Sequence, residues 1–359
     1  MSLLRPFQNA IGIDISDAVV RMVQLQKHGN RYALRSVSAR PVTPGFIQEG
    51  EIRDPQGVAA ILKDLINQPT FKHPSSRAAV VCLPERKIFT KIIELPNVPA
   101  AAFDIALRDG LAANIPLNLD EAYLDWQYVT PPAIGGKKVR VVVAVAPQLL
   151  VEGYTSVLES VGLIPLVLEP ESAALSRVAL DPLAPAGSHL LIDLGASRTG
   201  VIITEGEVVA YSSTLPLSGA HLTSMLQMKL GLSAEEAEEA KRICGLDPRK
   251  GKGAVRAIIE PELKPLTQRI MEVVSFYEEH VPDTLYVSDV TLVGGGARLI
   301  GLAAFFESVL HVPVRIGDWP TSIVPPRPPL DAVGPSYLTA VGLAMRGVRN
   351  LPWFPPRSL

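Results

Sequence analysis

Residues 189–215 read HLLIDLGASRTGVIITEGEVVAYSSTL, and residues 11–25 read IGIDISDAVVRMVQL. Each begins with an apolar run ending near an aspartate, Asp193 in one and Asp14 in the other. Each then passes a short polar turn and continues as a second apolar run. Their β-branched content predicts strands over Ala10–Ile15, Val19–Gln26 and Tyr32–Val37, with KHGN as the second turn. The same strand–turn–strand–turn–strand order recurs in the second half. That recurrence predicts a duplicated α/β fold of two facing domains, each opening with a β-meander, with a ligand cleft between them.

The chain has 359 residues, enough for two or three domain-sized units, and 47% of them are hydrophobic. A net charge of −2 with no basic stripe argues against nucleic-acid binding. Cys82 and Cys244 have no metal-site spacing. They read as buried small hydrophobes in a reducing compartment. The opening MSLLRPFQNA has no secretory pattern, and the run VVVAVAPQLLV is broken by Pro147 and Gln148. We expect a cytoplasmic protein without direct membrane insertion, reaching a membrane only through a partner.

Between the hairpins, a helix is expected near Asp54–Ile66 with Asp54 as N-cap and Pro55 at its first position, then a buried strand over Arg77–Leu83. A β-α-β-β-α insert is expected over about 87–161, its helices near 100–113 and 148–161. IPLVLEP then leads into the helix ESAALSRVAL, and DPLAPAG (181–187) is a proline-rich link. After the second meander come AHLTSMLQMKL and the acidic helix SAEEAEEAKRIC. A long helix over Leu263–Glu279, following Pro261, comes next, then VTLVGGGARLIGLAAFFESVL and a late small-residue helix, SYLTAVGLAMRG.

Two aspartate hairpins, the GGG turn and the late small-residue helix together resemble the actin-like ATPase superfamily. Within it the chain is most similar to the PilM family of type IV pilus assembly proteins. IPLNLDEAYLDWQYV, APQLLVEGYTSVLESVGLIPLVLEPESAAL and LSAEEAEEAKR carry that likeness along nearly the whole length. The resemblance implies an actin-like (ribonuclease-H-like) duplicated two-domain fold with a 1C-type insert and a central nucleotide cleft. Subdomain 1A would occupy 1–86 and 162–186, the insert 87–161 and subdomains 2A/2B 187–330. Residues 331–359 would pack back on 1A and end in a proline-rich tail.

It also implies ATP and Mg²⁺ as ligands. Asp14 and Asp193 would face the metal from opposite sides. Gly195, Ala196, Ser197 and Thr199 would form the second phosphate turn. Ser16, Asp17 and Arg21 would belong to the first, where the superfamily pattern is roughly Asp-x-Gly-Ser/Thr. Gly219 would border the nucleotide. Gly294, Gly295 and Gly296 would let adenine lie against backbone, with Arg298 stacking on the base or pairing with a phosphate. Glu238 and Lys241 share a helical face and read either as ribose and adenine contacts or as part of a solvated charged face. Glu169 reads either as the carboxylate polarising the attacking water or as a helix cap, with Glu171 as its rival.

Asp17 is the departure. At about 4 Å from a phosphate charge, with an effective dielectric near 20, it would repel by about 4 kcal/mol. It can escape by capping its own turn, by pairing with Arg21 or by facing Mg²⁺. Hydrolysis, if any, is therefore expected to be slow, and a pseudo-ATPase scaffold is the alternative. An FtsA-like division protein is another, but that family usually ends in an amphipathic helix and GVRNLPWFPPRSL supplies none. The implied partner is the N-terminal cytoplasmic tail of a PilN-like bitopic membrane protein, with self-association also open. Phe103, Leu107 and Leu111, on one face of the helix near 100–113, are the expected partner surface, or else they pack on the insert's own sheet.

Overall fold

The computed structural model describes residues 9–29, 31–112, 115, 118–129, 136–179, 187–280, 286–324 and 334–349. Residues 181–186 of the expected proline-rich link and residues 350–359 of the tail lie outside these residues. The first half runs β1 (Ile11–Ile15), β2 (Val19–His28), β3 (Arg31–Pro41), the short hairpin β4–β5 (Ile47–Gln48, Glu51–Ile52), α1 (Pro55–Asn67) and β6 (Ala78–Leu83). Then follow β7 (Phe89–Pro96), α2 (Ala100–Ala112), β8 (Ala122–Tyr128), β9 (Lys138–Pro147), α3 (Gln148–Ser160), β10 (Ile164–Pro170) and α4 (Glu171–Ala179). The second half runs β11 (Ser188–Leu194), β12 (Thr199–Glu205), β13 (Val208–Leu215), α5 (Gly219–Leu230), α6 (Ala234–Cys244), α7 (Ala254–His280), β14 (Val287–Val293), α8 (Leu302–Leu310), β15 (Val314–Ile316), β16 (Ile323–Val324) and α9 (Leu338–Arg349).

Local chemistry sets many of these ends. Asp54 Oδ1 accepts from Gly57 N at 2.9 Å, with Pro55 behind it, to start α1. Ser233 and Glu236 form a reciprocal capping box at α6. Ser218 caps α5, and Gly231, at φ 66°, closes it.

Among the described residues, the main sheets have the orders β10-β6-β1-β2-β3-β16 and β13-β12-β11-β14-β15. In both, a three-strand meander is extended by two parallel strands beside its first strand, which is the expected duplication. Asp14 and Asp193 are each the penultimate residue of the first meander strand. Those strands are buried along their length, so both carboxylates emerge from a rigid base.

α9 lies between the sheets. Its Val341 and Ala344 share one cluster with Val23 and Leu25 of the first sheet and Leu191 and Val293 of the second. Small residues on both sides permit that approach: a Cβ on Gly12 of β1 would sit 2.3 Å from Ala340 O, and one on Gly342 of α9 would sit 2.0 Å from Ala174 O of α4.

Three expectations shift. The 254–280 helix keeps Pro261 and Pro265 inside it rather than starting after Pro261. Val255, Ile259, Leu263, Leu266 and Ile270 form a buried stripe that offsets the lost backbone bonds. α3 touches the insert strands β8 and β9 but packs chiefly with the first half. Tyr154, Val157 and Leu158 join Val58, Leu62 and Leu65 of α1 in the core of the first half. The compact insert is therefore β7-β9-β8 with α2. Finally, β16 already pairs with β3, so the return to the first sheet comes by residue 323.

Candidate functional site

The floor of the first half is Asp14, 4% exposed. Arg21 donates to its Oδ2 at 3.4 Å, and Cys82 Sγ donates to its Oδ1 at 3.5 Å. The Arg21 guanidinium also lies 5.7 Å over the Tyr337 ring. In the turn, Ser16 Oγ donates to Val19 O at 2.8 Å, so this serine closes the hairpin. Asp17 does not cap its own turn: its Oδ1 accepts from Gly50 N at 2.8 Å, in the turn between β4 and β5. Gly50 O in turn accepts from Tyr154 Oη at 2.8 Å, which ties the turn to α3.

The second half supplies Asp193, 6% exposed. Gly294 presses against it: a Cβ there would lie 2.3 Å from Asp193 Oδ1, and its φ is +80°. A Cβ on Gly296 would meet Leu194 Cβ at 2.8 Å, so the glycine turn hugs the aspartate strand, with Gly295 exposed beside it. In the 195–199 turn, Gly195 O and Ala196 O accept from Gly219 N and Ala220 N at 2.9 and 3.0 Å. This braces the turn on α5. Ser197 is exposed, whereas Thr199 is fully buried and donates to Leu217 O at 2.7 Å. Thr199 therefore closes the hairpin instead of offering its hydroxyl to the cleft. Lys241 Nζ donates to Gly219 O, Thr223 Oγ1 and Glu238 Oε2 at 2.9, 2.7 and 2.7 Å. Lys241 thereby ties Glu238 to the start of α5, whose Gly219 braces the 195–199 turn, while Glu238 itself stays exposed. Arg298 is exposed and rests against Gly334, where a Cβ would fall 1.9 Å from its Nη2.

Two placements differ from the sequence reading. Glu169 is 3% exposed and its two oxygens accept separately from Arg177 and Arg346. A carboxylate so committed is a structural ion triad joining β10, α4 and α9, not a base open to water. It does not cap α4 either: Ser172 N and Oγ donate to Glu85 at 3.0 and 2.9 Å. Phe103, Leu107 and Leu111 point inward, at 4%, 1% and 0% exposure, onto Val141, Val143 and Val145. They are the insert's core and not its partner surface. The exposed apolar residues nearby are Ile105, Tyr123 and Leu149.

Sequence reasoning passed over Glu85, Tyr337 and Arg198, and read Cys82 only as a buried small hydrophobe. Only Arg198 carried a signal, since it sits inside the quoted turn. Its guanidinium pairs with Glu171 of α4, in the first half, and lies 3.8 Å from Asp193 Oδ2.

Burial, and then the charge of Asp14, push the Asp193 carboxyl up to about 7. Burial likewise raises Asp14, against the pull of Arg21. Two buried carboxylates that resist ionising together make a place for a cation. Among the described residues no group of three or more His, Cys, Asp or Glu could hold a metal. Mg²⁺ needs only one or two carboxylates plus phosphate oxygens and water, so Asp14 and Asp193 fit it.

The family of type IV pilus assembly protein PilM matches residues 12–348. The chain belongs to the PilM family. A solved PilM–PilN type IV pilus biogenesis complex is similar to it at TM-score 0.81 and 26% identity, over 96% of this chain and 99% of that one. MreB5 of Spiroplasma citri bound to AMPPNP shares the fold at TM-score 0.56 and 14% identity, over 94% and 96%. The fold is thus actin-like, as the PilM resemblance implied. Among curated relatives, the cell division protein FtsA of Pseudomonas aeruginosa is 29% identical over 45% of this chain and 42% of its own length. The ethanolamine utilization protein EutJ of Salmonella typhimurium is 29% identical over 44% and 51%. The matched region spans about half the length of these relatives. No helix among the described residues is long and apolar enough to cross a membrane.

Proposed function

We propose that this chain is an ATP-binding adaptor of type IV pilus assembly that recruits the cytoplasmic tail of a PilN-type membrane protein. The observation that carries the nucleotide part is the pair Asp14 and Asp193, each at the same point of a duplicated hairpin, each buried, and near enough that the charge of Asp14 acts on Asp193. ATP would lie between the halves, its phosphates along the braced 195–199 turn and its base toward Gly294–Gly296, Glu238 and Lys241. Asp14 and Asp193 would hold Mg²⁺, which supplies charge neutralisation for the phosphates when bound. The PilM–PilN complex supports the partner, and the absence of a membrane-crossing helix among the described residues suits attachment to the inner membrane through it.

A second reading is a scaffold that binds ATP without hydrolysing it. The Glu169 triad favours it, because the expected water-polarising carboxylate is already paired on both oxygens. The more extended match to the PilM family outweighs an FtsA-like role.

Because Phe103, Leu107 and Leu111 are interior, the tail would use the insert's outer surface around Ile105 and Tyr123. An extended peptide that orders on binding should have micromolar affinity. The test is capture of a synthetic PilN-type N-terminal tail by the whole chain and by a variant in which a short linker replaces residues 89–146. This leaves α3 in the core. Loss of capture with ATP binding retained supports the role. A folded variant that binds the peptide like the parent places the contact elsewhere.

A further inference from the structure

Arg198 stands on a locked backbone. Gly195 N donates to Arg198 O at 2.9 Å, Gly195 O and Ala196 O are held by α5, and Thr199 Oγ1 is tied to Leu217 O. The side chain is the movable part of this turn. It folds back over Gly200, where a Cβ would crowd Nη1 at 3.1 Å, so the glycine makes room for the guanidinium. From there it crosses to the first half and pairs with Glu171 in the first turn of α4. Asp193 lies 3.8 Å away, and Glu85, Asp14 and Asp17 act on it at longer range. α4 is also where the halves meet on its next turn, since Ser176 Oγ donates to Glu207 O at 3.0 Å.

We propose that Arg198 is a phosphate-operated latch across the cleft. The Arg198–Glu171 pair ties the second half to the first. An incoming terminal phosphate, which carries more negative charge than a carboxylate and presents the same two-point acceptor geometry, draws Arg198 off Glu171 and releases the first turn of α4. Glu171 is then a competitor for the residue that binds the phosphate. The latch rests on the nucleotide reading above and adds to it the residue that converts phosphate binding into a change between the halves.

The test is equilibrium titration of ATP, ADP and inorganic phosphate, each with Mg²⁺, into the whole chain and its variants. Glu171→Gln keeps the shape and removes the competing charge, so ATP should bind about fivefold tighter or better. Arg198→Ala should weaken ATP at least about tenfold, and the double variant should bind no tighter than Arg198→Ala alone. ADP should respond less to both changes, and inorganic phosphate alone should not reproduce the ATP effect. Should Arg198→Ala fail to fold, Glu171→Gln decides: unchanged or weaker ATP binding overturns the latch. If the parent binds ATP and Asp193→Ala does not, but Glu171→Gln and Arg198→Ala both match the parent, the latch falls and the nucleotide site stands. If the parent binds no ATP, both fall.

Discussion

Replacing Asp193 with asparagine should stabilise the nucleotide-free protein at neutral and alkaline pH while removing its nucleotide response. The carboxyl is 6% exposed, and burial together with Asp14 lifts it from 3.8 to about 7. The folded chain therefore holds this proton more tightly than the unfolded chain. Its stabilising contribution is fully present below pH 3.8 and is lost as pH rises through about 7. A shift of that size corresponds to about 4 kcal/mol, shared in part with Asp14, which titrates with it. Asparagine keeps the size and cannot ionise. Urea unfolding of the nucleotide-free, EDTA-treated protein at about pH 5 to 8 should show the parent losing stability with pH and Asp193→Asn losing much less. Added Mg²⁺ and ATP should restore the parent at about pH 8 and leave the variant unmoved. Parallel pH profiles, or a variant less stable than the parent at about pH 8, would refute the reasoning that the two aspartates share a cation-requiring cleft.

Asp17→Ala should cost about 1 kcal/mol in stability through the lost Gly50 bond and change ATP affinity less than about threefold, measured by thermal melts and titration. Glu169→Gln should lower stability by about 3 kcal/mol, because Arg177 and Arg346 lose their shared anion, while a folded fraction still binds ATP. Loss of ATP binding with stability intact would return Glu169 to the site. Gly342→Ala should destabilise by about 1–3 kcal/mol or more, since the new methyl would meet Ala174 backbone.

The duplicated hairpins were legible because the strand pattern and the position of the aspartate are local facts. The small-residue helix was legible for the same reason, and its Gly342 and Gly347 turned out to be contact points with Ala174 of α4 and with Ala10, just ahead of β1. What the sequence hid was allegiance. The apolar face of Phe103, Leu107 and Leu111 is plain from helical spacing, but spacing does not say which surface covers it. α3 follows β9 directly, yet its Tyr154 reaches Gly50, more than a hundred residues earlier. Glu169 took its meaning from Arg346, 177 residues away, and Asp17 from Gly50, 33 residues away. Arg198 was in plain view between Ser197 and Thr199, but its reach across the cleft depends on Gly200 and on where α4 begins.

The central claim is that one ATP binds between the halves with Asp193 at its metal. Calorimetric titration of ATP with Mg²⁺ into the nucleotide-free parent and into Asp193→Ala tests it most directly. The account predicts a single saturable site in the parent that weakens sharply when Mg²⁺ is withheld and disappears in the variant. Equal binding by parent and variant would contradict it.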